Sequence, residues 1–153
     1  MKLYLVQHGK AVPEEVDRKR PLTEEGRREM EKVAAFVKKL DLSVDYLWHS
    51  GKKRAEQTAE ELTKAVKVRK QISAREGLAP NDDVEVIKEE LAAPGDVFIV
   101  GHLPFLSKLA SLLLTGNKEE GVVAFKNGGI VCLSLSDEKR WQLEWAVTPE
   151  LLC

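Results

Sequence analysis

The chain has three histidines, His8, His49 and His102, and two of them stand in the same local context. His8 comes at the end of the apolar run Leu3-Tyr4-Leu5-Val6, after Gln7, and His102 follows Val97-Phe98-Ile99-Val100 with Gly101 between. An imidazole changes charge near neutral pH and can either donate a hydrogen bond or attack phosphorus. Arg54 follows the short apolar stretch Tyr46-Leu47-Trp48, and a guanidinium offers phosphate oxygens a planar fork. Two imidazoles and one guanidinium brought together form an anion site. A single histidine on its own reads more readily as a satisfied loop or core residue, but the repeated strand-end context of His8 and His102 weighs against that. The two cysteines, Cys132 and Cys153, belong to no CxxC pair or Cys/His cluster, so neither a structural zinc site nor a disulfide framework is expected.

The surrounding pattern says what must hold these residues. Leu3-Tyr4-Leu5-Val6 and Val97-Phe98-Ile99-Val100 read as strands buried on both faces, and Tyr46-Leu47-Trp48 as a further short strand. Thr23 is placed to cap a helix whose first turn carries Glu24 and Glu25 and whose apolar stripe is Met30, Val33, Val37 and Leu40. A second helix carries Ala55, Thr58, Leu62 and Val66 on one face. A third is capped within Asn81-Asp82-Asp83, turns Val84, Ile87 and Leu91 inward and stops at Pro94-Gly95. The segment from about Phe105 to Leu114 is apolar on most sides and should be the most buried helix. Ile130 to Leu135 and Trp141 to Val147 read as two strands of a hairpin around a polar turn. The expected fold is α/β: a three-layer α/β/α sandwich with a mainly parallel sheet and an antiparallel edge hairpin. Ligands in such sheets bind beyond the carboxyl ends of the strands, which puts His8, Arg54 and His102 on one rim.

Length and charge narrow the function classes. The 153 residues suit a single domain over 1–153. A formal net charge of −1 excludes a general nucleic-acid coat or a polybasic membrane binder, and 43% hydrophobic with 32% charged residues argues against disorder. No segment reaches the roughly 18 apolar residues of a membrane span. The first residues are too short an apolar run for a signal-peptide core. The expected setting is the cytoplasm, with no nucleic acid and no membrane as partner.

Four blocks resemble a known family: Val6-Gln7-His8-Gly9, Arg20-Pro21-Leu22-Thr23-x-x-Gly26, Arg54-Ala55-Glu56-Gln57-Thr58 and Gly101-His102-Leu103-Pro104. Together they look like the histidine phosphatase superfamily, with its phosphoglycerate mutase-like fold, and within it the SixA-type phosphohistidine phosphatases. The resemblance covers nearly the whole chain. It implies that His8 is a nucleophile transiently phosphorylated as neutral imidazole, its other ring nitrogen held by a backbone carbonyl. It implies Arg54 and His102 as the other catalytic residues, neutralising and donating to the phosphoryl oxygens. Gln7, Gly9 and Arg20 are the further phosphate contacts it implies. No metal and no cofactor are implied.

Two departures from the family pattern stand out. The family's first motif is Arg-His-Gly, and this chain has Gln7. A hydrogen bond to a charged group is worth roughly 1.5–3 kcal/mol, so its loss would cost about tenfold to a hundredfold unless another cation compensates. Arg20 is the expected compensator, while Lys10, Arg18, Lys19, Lys52 and Lys53 each read as ordinary solvated charge. Mutase-like members also use a glutamate to protonate an alkoxide leaving group. Glu76 lies in the corresponding region without a supporting motif and reads as a surface carboxylate. An imidazole leaving group departs more easily than an alkoxide.

His8, Arg54 and His102 are separated by gaps of roughly 45 to 50 positions, each the length of a helix-bearing crossover with its loops and none leaving room for a lid. An open basic rim suits a phosphorylated protein, such as a histidine-phosphotransfer domain, as substrate and partner. Two alternatives remain: a small-molecule phosphomonoester phosphatase, and a phosphate- or phosphoprotein-binding module that has lost turnover through Gln7. The oligomeric state is left open.

Overall fold

The structure is a computed structural model describing residues 1–91 and 95–152. Strand β1 is Lys2–Gln7, and every position from Leu3 to Val6 is buried. Side chains alternate across a strand, so Leu3 and Leu5 enter one core while Tyr4 and Val6 enter the other on the opposite face. The other apolar run, at Val97–Gly101, behaves alike: Val97 and Ile99 go to the first face, Phe98 and Val100 to the second. A strand covered on both sides has no polar alternation, which is why both read as continuous apolar runs.

The remaining elements follow in chain order. Helix α1 is Glu24–Lys39, strand β2 Ser43–His49, helix α2 Lys53–Thr63, strand β3 Lys67–Ala74 and helix α3 Val84–Glu90. The run Val97–Gly101 is β4. Helix α4 (Phe105–Thr115), β5 (Ile130–Leu135), β6 (Trp141–Val147) and a 3-10 turn at Pro149–Leu151 complete the chain. The six strands form one sheet in the order β3-β2-β4-β1-β5-β6. The first four are parallel, and β5 and β6 add an antiparallel edge. Residues of α1 and α2 pack on the Tyr4 face, those of α3 and α4 on the Leu3 face. This is the expected three-layer sandwich.

Helix α1 starts where its sequence says. Thr23 is the N-cap, its hydroxyl accepting the Gly26 N–H at 2.9 Å, and Met30, Val33 and Val37 are buried. Leu40 departs from expectation. It is the C-cap residue and 40% exposed, because Asp41 turns to a positive φ of 50° and takes the chain off the helix axis. Val66 is buried as expected, but from the turn beyond the end of α2. Asp83 caps α3 by accepting the Glu85 N–H at 2.9 Å, and Leu91 is buried at its C-cap. Pro94, the expected stop signal, lies outside the described residues.

Strand β3 has no counterpart in the sequence reading. It forms one edge of the sheet, most of its residues are exposed, and backbone pairing with β2 holds it. A strand without an apolar face leaves no hydrophobic pattern. Its Lys67, Arg69 and Lys70 also discourage pairing with another chain. No helix of the described residues is long and apolar enough to cross a membrane.

Candidate functional site

Parallel neighbours end on the same rim, and the register makes the alignment close. Gln7 is level with Gly101, and His49 is level with Val100. The His8 N–H donates to the Gly101 carbonyl at 3.0 Å. His8 and His102 are thus each the first residue past the paired ends of β1 and β4, and their ring centroids are 5.1 Å apart at an interplanar angle of 53°. Arg54 arrives from the first turn of α2, which begins just past the end of β2.

His8 is buried, and its Nδ1 lies 2.7 Å from the Gly9 carbonyl. A carbonyl only accepts, so the proton sits on Nδ1 and Nε2 keeps its lone pair. Burial lowers the His8 pKa to about 4; the Gly9 bond opposes the shift and the Arg54 and Arg20 charges add to it. The ring is therefore neutral at physiological pH, the form a nucleophile needs. His102 is 1% exposed, and its pKa is lowered to about 3 by burial, then by His8, Arg54, Lys52 and Arg20. Its Nε2 lies 2.6 Å from Ser50 Oγ.

Among the described residues, two buried atoms of this cluster, His102 Nδ1 and Arg54 Nε, have no hydrogen-bond partner. Burial, and then the Arg20 charge, lowers the Arg54 pKa. Buried polar atoms without partners are costly, and Arg54 and Arg20 bring positive charge to both rings. An oxyanion would relieve both conditions at once. Among the described residues no group of three or more His, Cys, Asp and Glu could hold a metal ion.

The fold thus brings His8 and His102 together, and the Arg54 and Arg20 charges bear on both rings. Arg20 has a positive φ of 48°, and its Nε donates to the Val12 carbonyl at 3.1 Å. Gln7 is partly buried, and its Oε1 has no hydrogen-bond partner among the described residues. The Gly9 amide donates to Thr58 Oγ1 at 3.0 Å, and its carbonyl holds the His8 ring. Lys10 is drawn to Glu25 at 2.8 Å. Lys52 acts on His102. Glu76 is exposed and lies on the wall of a groove of about 770 Å³ that also includes Ser50, Lys52 and Asp82.

The motif around Arg54 carries more than its arginine. Thr58 Oγ1 accepts from Gly9 and donates to the Arg54 carbonyl at 2.8 Å, while Gln57 Oε1 accepts the Leu22 N–H at 2.7 Å. One helical turn thereby ties down both the His8 loop and the segment that carries Arg20. Sequence reasoning missed Ser50, and it missed Asn127 and Gly128. Asn127 Nδ2 donates to the His8 carbonyl at 3.1 Å, and the Gly128 N–H to the Gln7 carbonyl at 2.9 Å. The run Asn127-Gly128-Gly129 was the available signal, a tight turn ahead of β5. His49 is the satisfied histidine of the three: its Nδ1 accepts the Gly51 N–H at 3.1 Å. Cys132 is buried, which pushes its thiol up to about 11.

The family model for the histidine phosphatase superfamily, branch 1, matches residues 3–80. The phosphohistidine phosphatase SixA of Escherichia coli K12 is 26% identical over 155 residues, spanning 97% of this chain and 94% of that protein. The structure of the protein histidine phosphatase SixA complexed with tungstate superposes with a TM-score of 0.86 at 24% identity, covering 99% of each chain. A putative alpha-ribazole-5'-P phosphatase from Escherichia coli superposes at 0.76 with 16% identity, covering 97% of this chain and 98% of that one. These two superpositions establish the shared fold.

Proposed function

The chain belongs to the histidine phosphatase superfamily, branch 1, and we propose that it removes phosphate from phosphohistidine on a signalling protein of the histidine-phosphotransfer type. The observation that carries this reading is the held tautomer of His8, with Nδ1 on the Gly9 carbonyl and the ring kept neutral by burial. The Nε2 lone pair attacks phosphorus, the bond from phosphorus to the substrate imidazole breaks, and that imidazole leaves and takes up a proton. Water then attacks phospho-His8, releasing inorganic phosphate and returning neutral His8. Arg54, Arg20 and His102 neutralise and donate to the phosphoryl oxygens, the main requirement of a loose phosphoryl-transfer transition state.

The substrate class is supported by what surrounds the rings. Arg54 and Arg20 bear on both rings, while Glu76, the carboxylate the sequence offers to protonate a leaving alkoxide, is an exposed residue on a groove wall. Phosphohistidine needs such an acid least, and the relative named above is a phosphohistidine phosphatase. A small phosphomonoester is the second reading, favoured by the groove beside Ser50 with Glu76 on its wall.

Rapid-quench labelling with a phosphohistidine protein and a small phosphoester in parallel tests the proposal. Wild type should form phospho-His8, with a specificity for the phosphohistidine protein at least about tenfold higher, a difference of roughly 1.4 kcal/mol. His8→Ala should form none while melting as a folded protein. Turnover surviving in His8→Ala overturns the nucleophile, and equal or reversed preference transfers the site to small phosphoesters.

A further inference from the structure

Helix α2 starts against the usual electrostatic rule. The N-terminus of a helix is its positive end and favours carboxylates. Here the N-cap is Lys52, which makes no side-chain capping bond, and Lys53 and Arg54 follow in the first turn. Three consecutive cations at that end oppose the helix dipole and supply no cap. Arg54 has its place in the anion site, and Lys52 acts on His102. Lys53 has neither role, and its ion pair with Glu56, at 3.4 Å, is an exposed one. A local rule broken without benefit to folding points to a function at the surface.

The same cations face others across a groove. Arg18 and Lys19, from the loop between β1 and α1, line a groove of about 380 Å³ with Lys52, Lys53, Arg54 and Glu56. Five cations stand against one carboxylate, in a chain whose net charge is −1. Among the described residues Arg18, Lys19 and Lys52 make none of the ion pairs found. They extend the positive field from Arg54 outwards along the surface, and Val16 of the same loop is 75% exposed beside them in sequence.

We infer that this groove docks an acidic surface next to the phosphohistidine of a folded partner protein, so that the phosphoryl group arrives at His8 already oriented. The inference rests on the phosphohistidine reading of the site. Complementary rim charges act mainly on encounter and orientation, so they raise kcat/KM for the protein substrate and make it fall with salt. Free phosphohistidine has no such flank and gains nothing from the groove.

The test is the double variant Arg18→Glu/Lys19→Glu, assayed on two substrates. One is a phosphorylated histidine-phosphotransfer domain with acidic residues beside its phosphohistidine, and the other is free phosphohistidine. The expected result is a loss of about tenfold or more in kcat/KM on the domain, carried by KM and with a flattened salt dependence. Turnover of free phosphohistidine should stay within about twofold of wild type, which also shows that the variant is folded. Unchanged kcat/KM on the domain overturns the docking groove and leaves the phosphatase reading standing. Equal losses on both substrates also overturn it. Failure of wild type to hydrolyse either substrate overturns the phosphatase reading and the docking with it.

Discussion

Thr58 joins the nucleophile's loop to the helix that carries Arg54: its hydroxyl accepts the Gly9 N–H at 3.0 Å and donates to the Arg54 carbonyl at 2.8 Å. Both bonds are of ordinary length, and Thr58 has no exposed surface. The hydroxyl can serve as donor and acceptor at once, which a methyl group cannot.

Thr58→Val keeps the branched shape and removes the hydroxyl, stranding the buried Gly9 N–H. An unsatisfied buried donor costs about 1–3 kcal/mol, and stability should fall by that order. Because the Gly9 carbonyl orients His8, the rate of phospho-His8 formation should also fall, by about tenfold, with Thr58→Ser restoring most of it. Thermal melts and single-turnover labelling check the two effects separately. A stable variant with an unchanged rate would remove Thr58 as a positioning residue.

Gly26 is required by a close approach. A Cβ there would lie 2.3 Å from the Lys10 carbonyl oxygen and 3.0 Å from the Lys10 nitrogen, both backbone atoms that cannot swing aside. Gly26→Ala must therefore push the first turn of α1 away from the loop after His8, although alanine is the better helix former. Stability should fall by about 2 kcal/mol, which for a chain of this size lowers Tm by about 5 °C. A melting temperature equal to or above wild type would show that the loop yields at no cost.

These two positions show what the chain discloses and what it hides. Leu3 to Val6 and Val97 to Val100 were legible as buried strands because both of their faces are covered, and placing them placed His8 and His102 on one rim. Thr23, Gly26, Gln57 and Thr58 were legible as parts of motifs, but not what they do. Their roles are contacts between segments distant in sequence, Gly9 with Thr58 and Leu22 with Gln57. Ser50 was hidden for the same reason, since its partner is His102. Strand β3 was hidden because it is held by backbone bonds and buries little. Leu40 was misplaced because apolar spacing runs on past the point where the backbone at Asp41 ends the helix.

The pH dependence of the site has a definite sign. The folded pKa values of His8 and His102, about 4 and about 3, lie below the unfolded value of about 6.5. As pH falls the unfolded chain takes up these protons first. The associated stability is full above about pH 6.5 and is lost as pH falls from there towards the folded values. Thermal melts between pH 7 and 4 should show a falling Tm, with a shallower fall in His102→Gln. Formation of phospho-His8 should persist to about pH 5 and fail as His8 protonates near pH 4. Loss of labelling already near pH 6.5 would mean that His8 titrates as an exposed imidazole.

Gln7→Arg restores the family residue at the one motif position where the chain departs from it. Gln7 is partly buried, with Oε1 unpartnered among the described residues, at the end of β1 next to His8. A guanidinium there would add a charged, forked donor beside the phosphoryl group and stabilise it in ground and transition states alike. Opposing this, Arg20 and Arg54 already act on both histidines, and a third cation would raise the cost of the empty site. Bound phosphate would neutralise that repulsion, so the gain should appear in the complex and the penalty in the free protein. Tungstate should bind about tenfold tighter and phospho-His8 form faster, while the Tm of the free variant falls. Arg20→Ala in each background completes the comparison. If Arg20→Ala abolishes labelling in the natural background but not beside Arg at position 7, Arg20 stands in for the missing family residue. If only the Gln7→Arg variant forms phospho-His8, the natural protein binds phosphoprotein without turnover, and the hydrolytic proposal falls.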